Sequence, residues 1–259
     1  MAQRTVLITS FKGGVGKSTV SANLAVALAA MGKKVLAVDC DFKMRCLDLI
    51  FGCEDRVLYD LSDYFEGRMP LSKVLLSPET CENITLAPAP YECDGGLTEE
   101  NWRAFLNEPE TKAFDYILFD TPGEAGGQML RIAPLCDTAL VIANPHATSI
   151  RAAEKTAMTL QEAGVSDRFL LVNAYENKKG DASPSLLSII DRTAVRLLGL
   201  IPLDRTIPEK QDRGLFPEAS GLHASNAGIA FANIAKRLEG RSVPLASGFR
   251  GIDRRKYIK

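Results

Sequence analysis

The sequence lacks a hydrophobic run long enough to cross a membrane. Charged residues interrupt every apolar stretch well before the ~18 residues that a transmembrane helix requires. The first predicted strand begins at Thr5, with no apolar signal region before it. We therefore expect a cytoplasmic protein.

The sequence also lacks an excess of charge of either sign. The net charge of -1 gives no global reason to bind nucleic acid, although it leaves a local basic patch open. None of the six cysteines forms a C-x-x-C pair, and none follows Cys136. In a reducing cytoplasm we expect these thiols to be free and mostly buried.

The 259 residues alternate between apolar runs and helical patterns without an internal repeat. This alternation predicts a doubly wound α/β domain, with helices on both faces of a mostly parallel sheet of about seven to eight strands. Strands are predicted at residues 5–9, 34–38, 84–87, 116–119, 139–143, 169–172 and 198–201. Helices are predicted at residues 20–30, 57–66, 99–106, 127–134, 149–164, 184–197 and 225–239.

A glycine-rich segment between the first strand and the first helix is the strongest functional signal. Residues 12–19 read KGGVGKST, a phosphate-binding loop in the required strand–loop–helix context. Its backbone N–H groups, from Gly13, Gly14, Val15 and Gly16 onward, are expected to surround phosphate oxygens. Lys17 is expected to reach the β- and γ-phosphates, Ser18 to bind Mg²⁺, and Thr19 to contact the α-phosphate.

This loop departs from the ordinary pattern in two places. Phe11 stands where the first glycine is expected, and Lys12 adds a second lysine. The loop thereby resembles that of the deviant Walker A ATPases, a family of SIMIBI-type P-loop NTPases that includes MinD, ParA, the nitrogenase iron protein and Mrp-type carriers. The resemblance implies Mg²⁺-dependent ATP hydrolysis in a homodimer that forms with ATP, in which each Lys12 reaches the phosphates of the other subunit.

Three aspartates follow predicted strands beside this loop. Asp39 and Asp41 end the second strand, and Asp120 ends the fourth, where oxygen ligands suit a hard cation such as Mg²⁺. Asp120 matches the family's Walker B aspartate, followed by its switch II loop. Asp39 and Asp41 match the aspartates of switch I, and the resemblance implies that the first assists the metal while the second orients the attacking water.

A longer segment resembles the MinD branch of the family. Residues 38–60 read VDCDFKMRCLDLIFGCEDRVLYD, against the branch pattern [VI]DxDxGxRNLDLxxGxExRxxYD. Lys43 replaces a glycine and Cys46 an asparagine. Residues 144–152 resemble the pattern NPExxSxRD, with His146 for its glutamate and Ala152 for its final aspartate. Whether Glu154 compensates for the missing acid stays open.

Three residues match positions near the adenine in this family. Asn173 ends the sixth predicted strand, and Pro202 and Asp204 belong to a turn, IPLD, at residues 201–204. For Pro202 and Asp204, ordinary turn chemistry is an equal alternative. Residues 177–181, NKKGD, do not have the spacing of a guanine-binding motif.

Other branches of the family give alternative functions. Gly127 stands where the nitrogenase iron protein needs a cluster cysteine, and the Mrp-type C-x-x-C is absent, so we expect no iron–sulfur cluster. A ParA-like partition ATPase that binds DNA shares the fold and the nucleotide chemistry. A MinD-type regulator of flagellar number is a third possibility.

The main hypothesis is a MinD-like ATPase for placement of the division septum. The resemblance implies a MinC-like inhibitor and a MinE-like activator as partners, and peripheral binding to an anionic membrane at the inner face of the cell membrane. We divide the chain into an ATPase domain, residues 1–240, and a basic tail, residues 241–259. Residues 248–259 carry five basic residues and one acid, and either a membrane anchor or a solvated tail is consistent with them.

Overall fold

The computed structural model describes residues 2–79, 81–90, 97–124, 126–176, 184–213 and 225–245. Its centre is a seven-stranded sheet in the order β3-β2-β4-β1-β5-β6-β7, in which all paired strands are parallel. The strands are β1 (Arg4–Thr9), β2 (Val35–Asp39), β3 (Ile84–Ala87), β4 (Tyr116–Asp120), β5 (Thr138–Ala143), β6 (Asp167–Tyr175) and β7 (Arg196–Pro202). This architecture confirms the predicted fold class. Buried apolar runs form every central strand, as expected for a parallel sheet that is covered on both faces.

Helices cover both faces of the sheet. They are α1 (Lys17–Ala29), α2 (Leu47–Ile50), α3 (Leu61–Phe65), α4 (Leu71–Val74), α5 (Glu99–Asn107), α6 (Gln128–Ile132), α7 (Ala147–Glu162), α8 (Leu186–Thr193), α9 (Thr206–Gln211) and α10 (Asn226–Leu238). Short 3₁₀ helices lie at Glu54–Arg56, Thr111–Ala113 and Ala133–Leu135. Helix α1 packs with α10, and α7 packs with α8. Right-handed crossovers place the two pairs on opposite faces, because the chain leaves β1 and β5 in opposite directions along the sheet.

Three predicted helices differ from the structure. The helix predicted at 57–66 spans only Leu61–Phe65, because Asp60 is extended and caps the helix through a hydrogen bond from the Ser62 N–H. The helix predicted at 184–197 ends at Thr193, where Ala194 takes a positive φ of 52°, and Arg196 already belongs to β7. The helix predicted at 127–134 divides into α6 and a 3₁₀ turn.

The end of the described chain packs against the body of the protein. Arg237 in α10 donates hydrogen bonds to the carbonyl oxygens of Leu198, Val243 and Pro244. Leu245 is buried in the core. The proposed tail therefore begins with a packed segment, and residues 246–259 lie outside the described chain.

Within the described ranges, no helix combines the length and the apolar character needed to cross a membrane.

Candidate nucleotide site

The glycine-rich loop lies between β1 and α1, at the carboxyl edge of the sheet. It spans residues 10–16, from the end of β1 to Gly16, which precedes the first residue of α1. Helix α1 begins without a side-chain cap and without an acidic residue in its first turn. Its N–H groups and its positive dipole end are therefore available to an anion.

Two glycines allow close approaches that fix the shape of this loop. Gly16 has a φ of 89°, and a Cβ there would lie 2.4 Å from the Nδ2 atom of Asn173. A Cβ on Gly123, in the loop after β4, would lie 2.7 Å from the backbone N of Gly13. Both contacts are shorter than a side chain tolerates, so glycine is required at each position.

Lys17 is buried at the start of α1. Burial lowers the pKa of its ammonium group, while the nearby Asp120 and Asp41 act in the opposite direction. A buried cation beside a glycine-rich loop and the N-terminus of a helix is suited to bind phosphate oxygens.

Lys12 has a hydrogen-bond partner on α7. Its Nζ atom donates a hydrogen bond of 2.6 Å to the Oγ1 atom of Thr148, in the first turn of α7. The second lysine of the loop is therefore held by a neighbouring helix.

Two buried carboxyl groups lie behind the loop. Asp39 and Asp120 are partners in the register of β2 and β4, and both are fully buried. Burial raises the pKa of each, and the charge of Asp120 adds to the effect on Asp39. The nearby hydroxyl groups of Ser18 and Ser21 partly counteract this shift in the pKa of Asp120.

The geometry around Asp120 fits a hard cation. Its Oδ1 atom accepts a hydrogen bond of 2.8 Å from Ser21, while its buried Oδ2 atom has no hydrogen-bond partner in the described chain. Ser18, the predicted hydroxyl ligand, lies close enough to lower the pKa of Asp120. An unpaired buried carboxylate oxygen beside a hydroxyl suits Mg²⁺, which takes oxygen ligands and keeps several waters.

Both carboxylate oxygens of Asp39 accept hydrogen bonds from backbone N–H groups. Its Oδ2 atom accepts hydrogen bonds of 2.9 Å from both the Cys46 and Leu47 N–H groups, and its Oδ1 atom accepts one of 3.0 Å from Asp41. These bonds fix the loop after β2, residues 40–46, which we call the switch I loop. The predicted metal role of Asp39 thus has a structural alternative, which is to hold this loop.

Asp41 lies at the surface of the site. It lines a cavity of ≈ 1140 Å³ together with predicted phosphate-binding and metal-binding residues: Gly13, Gly14, Gly16, Lys17, Ser18 and Thr19. Another part of the lining, the α9 wall, includes Gln211, Asp212 and Arg213, at the end of α9 and just beyond it. A volume of this size accommodates a nucleotide.

The predicted base-contacting residues do not line this cavity. Asn173 donates a hydrogen bond of 2.8 Å to the Val15 carbonyl, so its amide supports the phosphate-binding loop. Pro202 ends β7, and Asp204 accepts hydrogen bonds from the Thr206 N–H and hydroxyl groups ahead of α9. Their contact with adenine stays a prediction, and for Asp204 the structure shows the turn chemistry.

Glu154 lies beside Arg192 of α8, at 3.9 Å between Nη2 and Oε2. The side chain thus has a partner in the described chain. His146 is an exposed residue that precedes α7.

Several residues of the site were not identified from the sequence. Ser21 binds Asp120, Thr148 binds Lys12, and Gln211 accepts a hydrogen bond of 3.2 Å from Thr19. Ser21 lies one helical turn beyond Lys17, a spacing that offered a usable signal. The other two come from distant parts of the chain and carry no local signal.

The parallel sheet, the loop at the carboxyl end of β1 and the buried acid at the end of β4 together define a P-loop NTPase. Comparison with known proteins narrows this class. A ParA family model, described as "NUBPL iron-transfer P-loop NTPase", matches residues 1–239. The septum site-determining protein MinD of Synechocystis sp. is 34% identical over 245 residues, which cover 93% of this chain and 91% of that protein.

Solved structures agree with this assignment. The MinC:MinD cell division protein complex of Aquifex aeolicus matches with a TM-score of 0.84 at 34% identity, covering 93% of this chain and 98% of that one. MinD of Pyrococcus horikoshii OT3, complexed with Mg-ADP, matches with a TM-score of 0.79 at 29% identity, covering 92% and 96%. The chain therefore belongs to the MinD/ParA family of P-loop ATPases, on its MinD branch. Membership in this family implies ATP hydrolysis.

Proposed function

We propose that this protein is a MinD-like ATPase that acts as a nucleotide-dependent switch in the placement of the division septum. Its similarity to septum site-determining proteins over nearly the whole chain supports this function. The observation that carries the mechanism is the position of Lys12. Its ammonium group contacts Thr148, whereas Lys17 is buried at the phosphate-binding loop of the same subunit.

Each residue of the site has a separate role in ATP hydrolysis. The N–H groups of the loop and of α1, together with Lys17, bind and orient the phosphates. Ser18 and Asp120 would hold Mg²⁺, which would neutralise charge on the phosphate oxygens. Asp41 lies at the cavity surface, where its carboxylate orients the attacking water.

Lys12 completes the site of a second subunit. ATP brings two copies together, each Lys12 leaves Thr148, and its charge reaches the phosphates of the partner. Hydrolysis then separates the copies. Charge supplied in trans to phosphoryl transfer is worth about 10³ to 10⁵ in rate, so dimer formation controls the reaction.

The ATP-bound dimer is the state that binds partners in this proposal. A relative forms a complex with MinC, which supports a MinC-type inhibitor as one partner. A MinE-type activator and an anionic membrane surface are the other two partners. The protein then moves between the cytoplasm and the inner face of the membrane as its nucleotide changes.

Complementation between two inactive variants tests the trans position of Lys12. Lys12→Ala removes the lysine, and Asp41→Ala removes the water-orienting carboxylate, so each variant alone should bind Mg-ATP and hydrolyse it poorly. In a mixed dimer, the Lys12→Ala subunit keeps Asp41 and receives Lys12 from its partner. An equal mixture should therefore recover roughly a quarter of the wild-type rate, because half of the randomly formed dimers carry one complete site.

A lysine that acts within its own subunit gives a different result, because no mixed dimer then contains a complete site. An inactive mixture would contradict the trans lysine, provided that sedimentation shows dimers with ATP. Lys112→Ala, in a 3₁₀ turn far along the chain from the loop, serves as the control for loss of a lysine. It should retain the wild-type rate.

A further inference from the structure

An ion pair joins the two loops that surround the phosphate end of the cavity. The Nζ atom of Lys43, in the switch I loop, lies 3.1 Å from Oε2 of Glu124 and 3.4 Å from its Oε1. Glu124 belongs to the loop after β4, residues 121–124 of the described chain, which we call the switch II loop. Both side chains line the nucleotide cavity.

The ion pair is at the end of the cavity where the γ-phosphate is expected. Gly123, the neighbour of Glu124, meets the backbone of Gly13 in the phosphate-binding loop. On the other side of the pair, the Lys43 N–H donates to Oδ1 of Asp41, the predicted water-orienting residue. The α9 wall, with Gln211, lies on the side of Thr19 and the α-phosphate.

The charges of the cavity favour a further cation at this position. Among the residues that the structure describes, its lining includes the carboxylates of Asp41, Glu54, Asp55, Glu124 and Asp212, which outnumber the cations of Lys17, Lys43 and Arg213. A bound nucleoside triphosphate would add further negative charge to the excess of carboxylates in the cavity. Lys43 and Glu124 are 74% and 53% exposed, so both side chains have room to change partners.

We propose that Lys43 is a further phosphate-binding residue, which Glu124 holds until the γ-phosphate of ATP takes its place. This assignment rests on the proposed ATPase function and names a residue for it. The γ-phosphate carries more charge than the Glu124 carboxylate, so it competes for Lys43. Glu124, left without its partner, is then repelled by the phosphate, and the switch II loop receives a force that depends on ATP.

Substitution of Lys43 and substitution of Glu124 should change the affinity for ATP in opposite directions. Lys43→Ala removes a cation from the γ-phosphate and should weaken binding of a non-hydrolysable ATP analogue about fivefold, the scale of one exposed ion pair. Glu124→Gln removes the competing carboxylate and should strengthen it by about two- to fivefold. Affinity for ADP should change less than about twofold in either variant, because ADP lacks the γ-phosphate.

Calorimetric titration of the purified full chain with Mg²⁺ and either nucleotide measures these affinities. The double variant Lys43→Ala/Glu124→Gln closes a thermodynamic cycle, and the two single effects should fail to add because the residues interact. At about 1 M salt, where the Debye length is about 3 Å, the interaction should largely disappear. Arg103→Ala breaks an exposed ion pair with Glu99 on α5 and is the matched control, with no expected change in affinity.

Three results would overturn the assignment: equal effects on ATP analogue and ADP, effects of the same sign in the two variants, or full additivity in the cycle. A wild-type chain that binds neither nucleotide would instead contradict the proposed ATPase function. Thermal unfolding of each variant without nucleotide separates a folding defect from a binding effect. Because both side chains are exposed, we expect little change in stability.

Discussion

Asp39 and Asp120 lie side by side in adjacent strands, fully buried, with Lys17 as a neighbouring cation. Burial raises the pKa of Asp39 to about 7, and repulsion from Asp120 contributes to the shift. Without a metal, burial and mutual repulsion disfavour the state in which both aspartates are ionised. A divalent cation would favour that state, because it stabilises the charged carboxylates.

The nucleotide-free protein should lose stability as the pH rises through this range. Between pH 3.8 and about 7 the folded state binds more protons at Asp39 than the unfolded chain does. The free energy of unfolding therefore falls as the pH increases. Asp120→Asn removes the neighbouring charge, while its amide oxygen still accepts the hydrogen bond from Ser21. At pH 8 this variant should be more stable than the wild type by about 1 kcal/mol, and Mg²⁺-dependent nucleotide binding should weaken.

Urea unfolding at pH 5 and pH 8, without nucleotide or Mg²⁺, measures this effect. The difference between variant and wild type should be larger at pH 8 than at pH 5. Glu100→Gln, an exposed residue of α5, provides a control for loss of one negative charge. A variant that is less stable than the wild type at pH 8 would disprove the repulsion argument.

At the scale of loops and helices, the phosphate-binding loop and the switch II loop touch backbone to backbone. Gly123 leaves no space for a side chain against Gly13, whereas a Cβ on Gly13 itself would meet nothing within 4 Å. The two glycines therefore form a matched pair for substitution. The position of Gly123 has no room for a methyl group, whereas the position of Gly13 has room for one.

Gly123→Ala should destabilise the nucleotide-free protein, because its new methyl group must push the two loops apart. Overpacking of this kind costs about 1 to 3 kcal/mol. Gly13→Ala should leave the nucleotide-free stability within about 0.5 kcal/mol of the wild type. Thermal and denaturant unfolding of both variants, without nucleotide, give the comparison. Equal stability of the two variants would show that the loops separate without cost.

Most of the elements could be predicted because their signals are local. Apolar residues dominate the predicted strands and most of them are buried in the sheet, and the strand–loop–helix at residues 5–30 has its full signature in one segment. The end of α8 could not be predicted. The apolar pattern continues from α8 into β7, and only the positive φ of Ala194 separates them.

The site could be predicted less completely, because many of its contacts join distant segments. The sequence pattern predicted roles for Lys17, Ser18 and Asp120, which lie in or directly after recognisable motifs and are close together in the structure. It did not identify the contact of Lys12 with Thr148, 136 residues away, since nothing in the local sequence of either residue indicates it. The support of Val15 by Asn173 depends in the same way on the order of the strands.

At the scale of the whole molecule, we predict that the basic tail decides whether the ATPase works at a membrane. If residues 248–259 form an anchor, one copy should bind weakly, and a dimer should bind well because its second tail attaches at high effective concentration. We expect sedimentation with anionic liposomes in ATP but not in ADP. Deletion of residues 248–259 should abolish it, and high salt should weaken it.

The deletion variant should keep wild-type nucleotide affinity, which serves as the control for folding. Equal sedimentation with ATP and ADP would contradict the membrane switch, as would full sedimentation of the deletion variant. A salt-dependent shift of DNA in a gel, seen only with ATP, would then favour the partition function.

Arg237 holds residues 243 and 244 near the first residues of β7, and Arg4 of β1 binds the Leu238 carbonyl beside them. Residues 2–4 and 243–245 therefore share the amino edge of the sheet, whereas the nucleotide cavity opens at the carboxyl edge. A strand of six residues separates the two edges by about 20 Å. A fluorophore or surface tether attached at the exposed Ala2 would lie at the edge away from the cavity, so the protein can be immobilised with its nucleotide face directed outward.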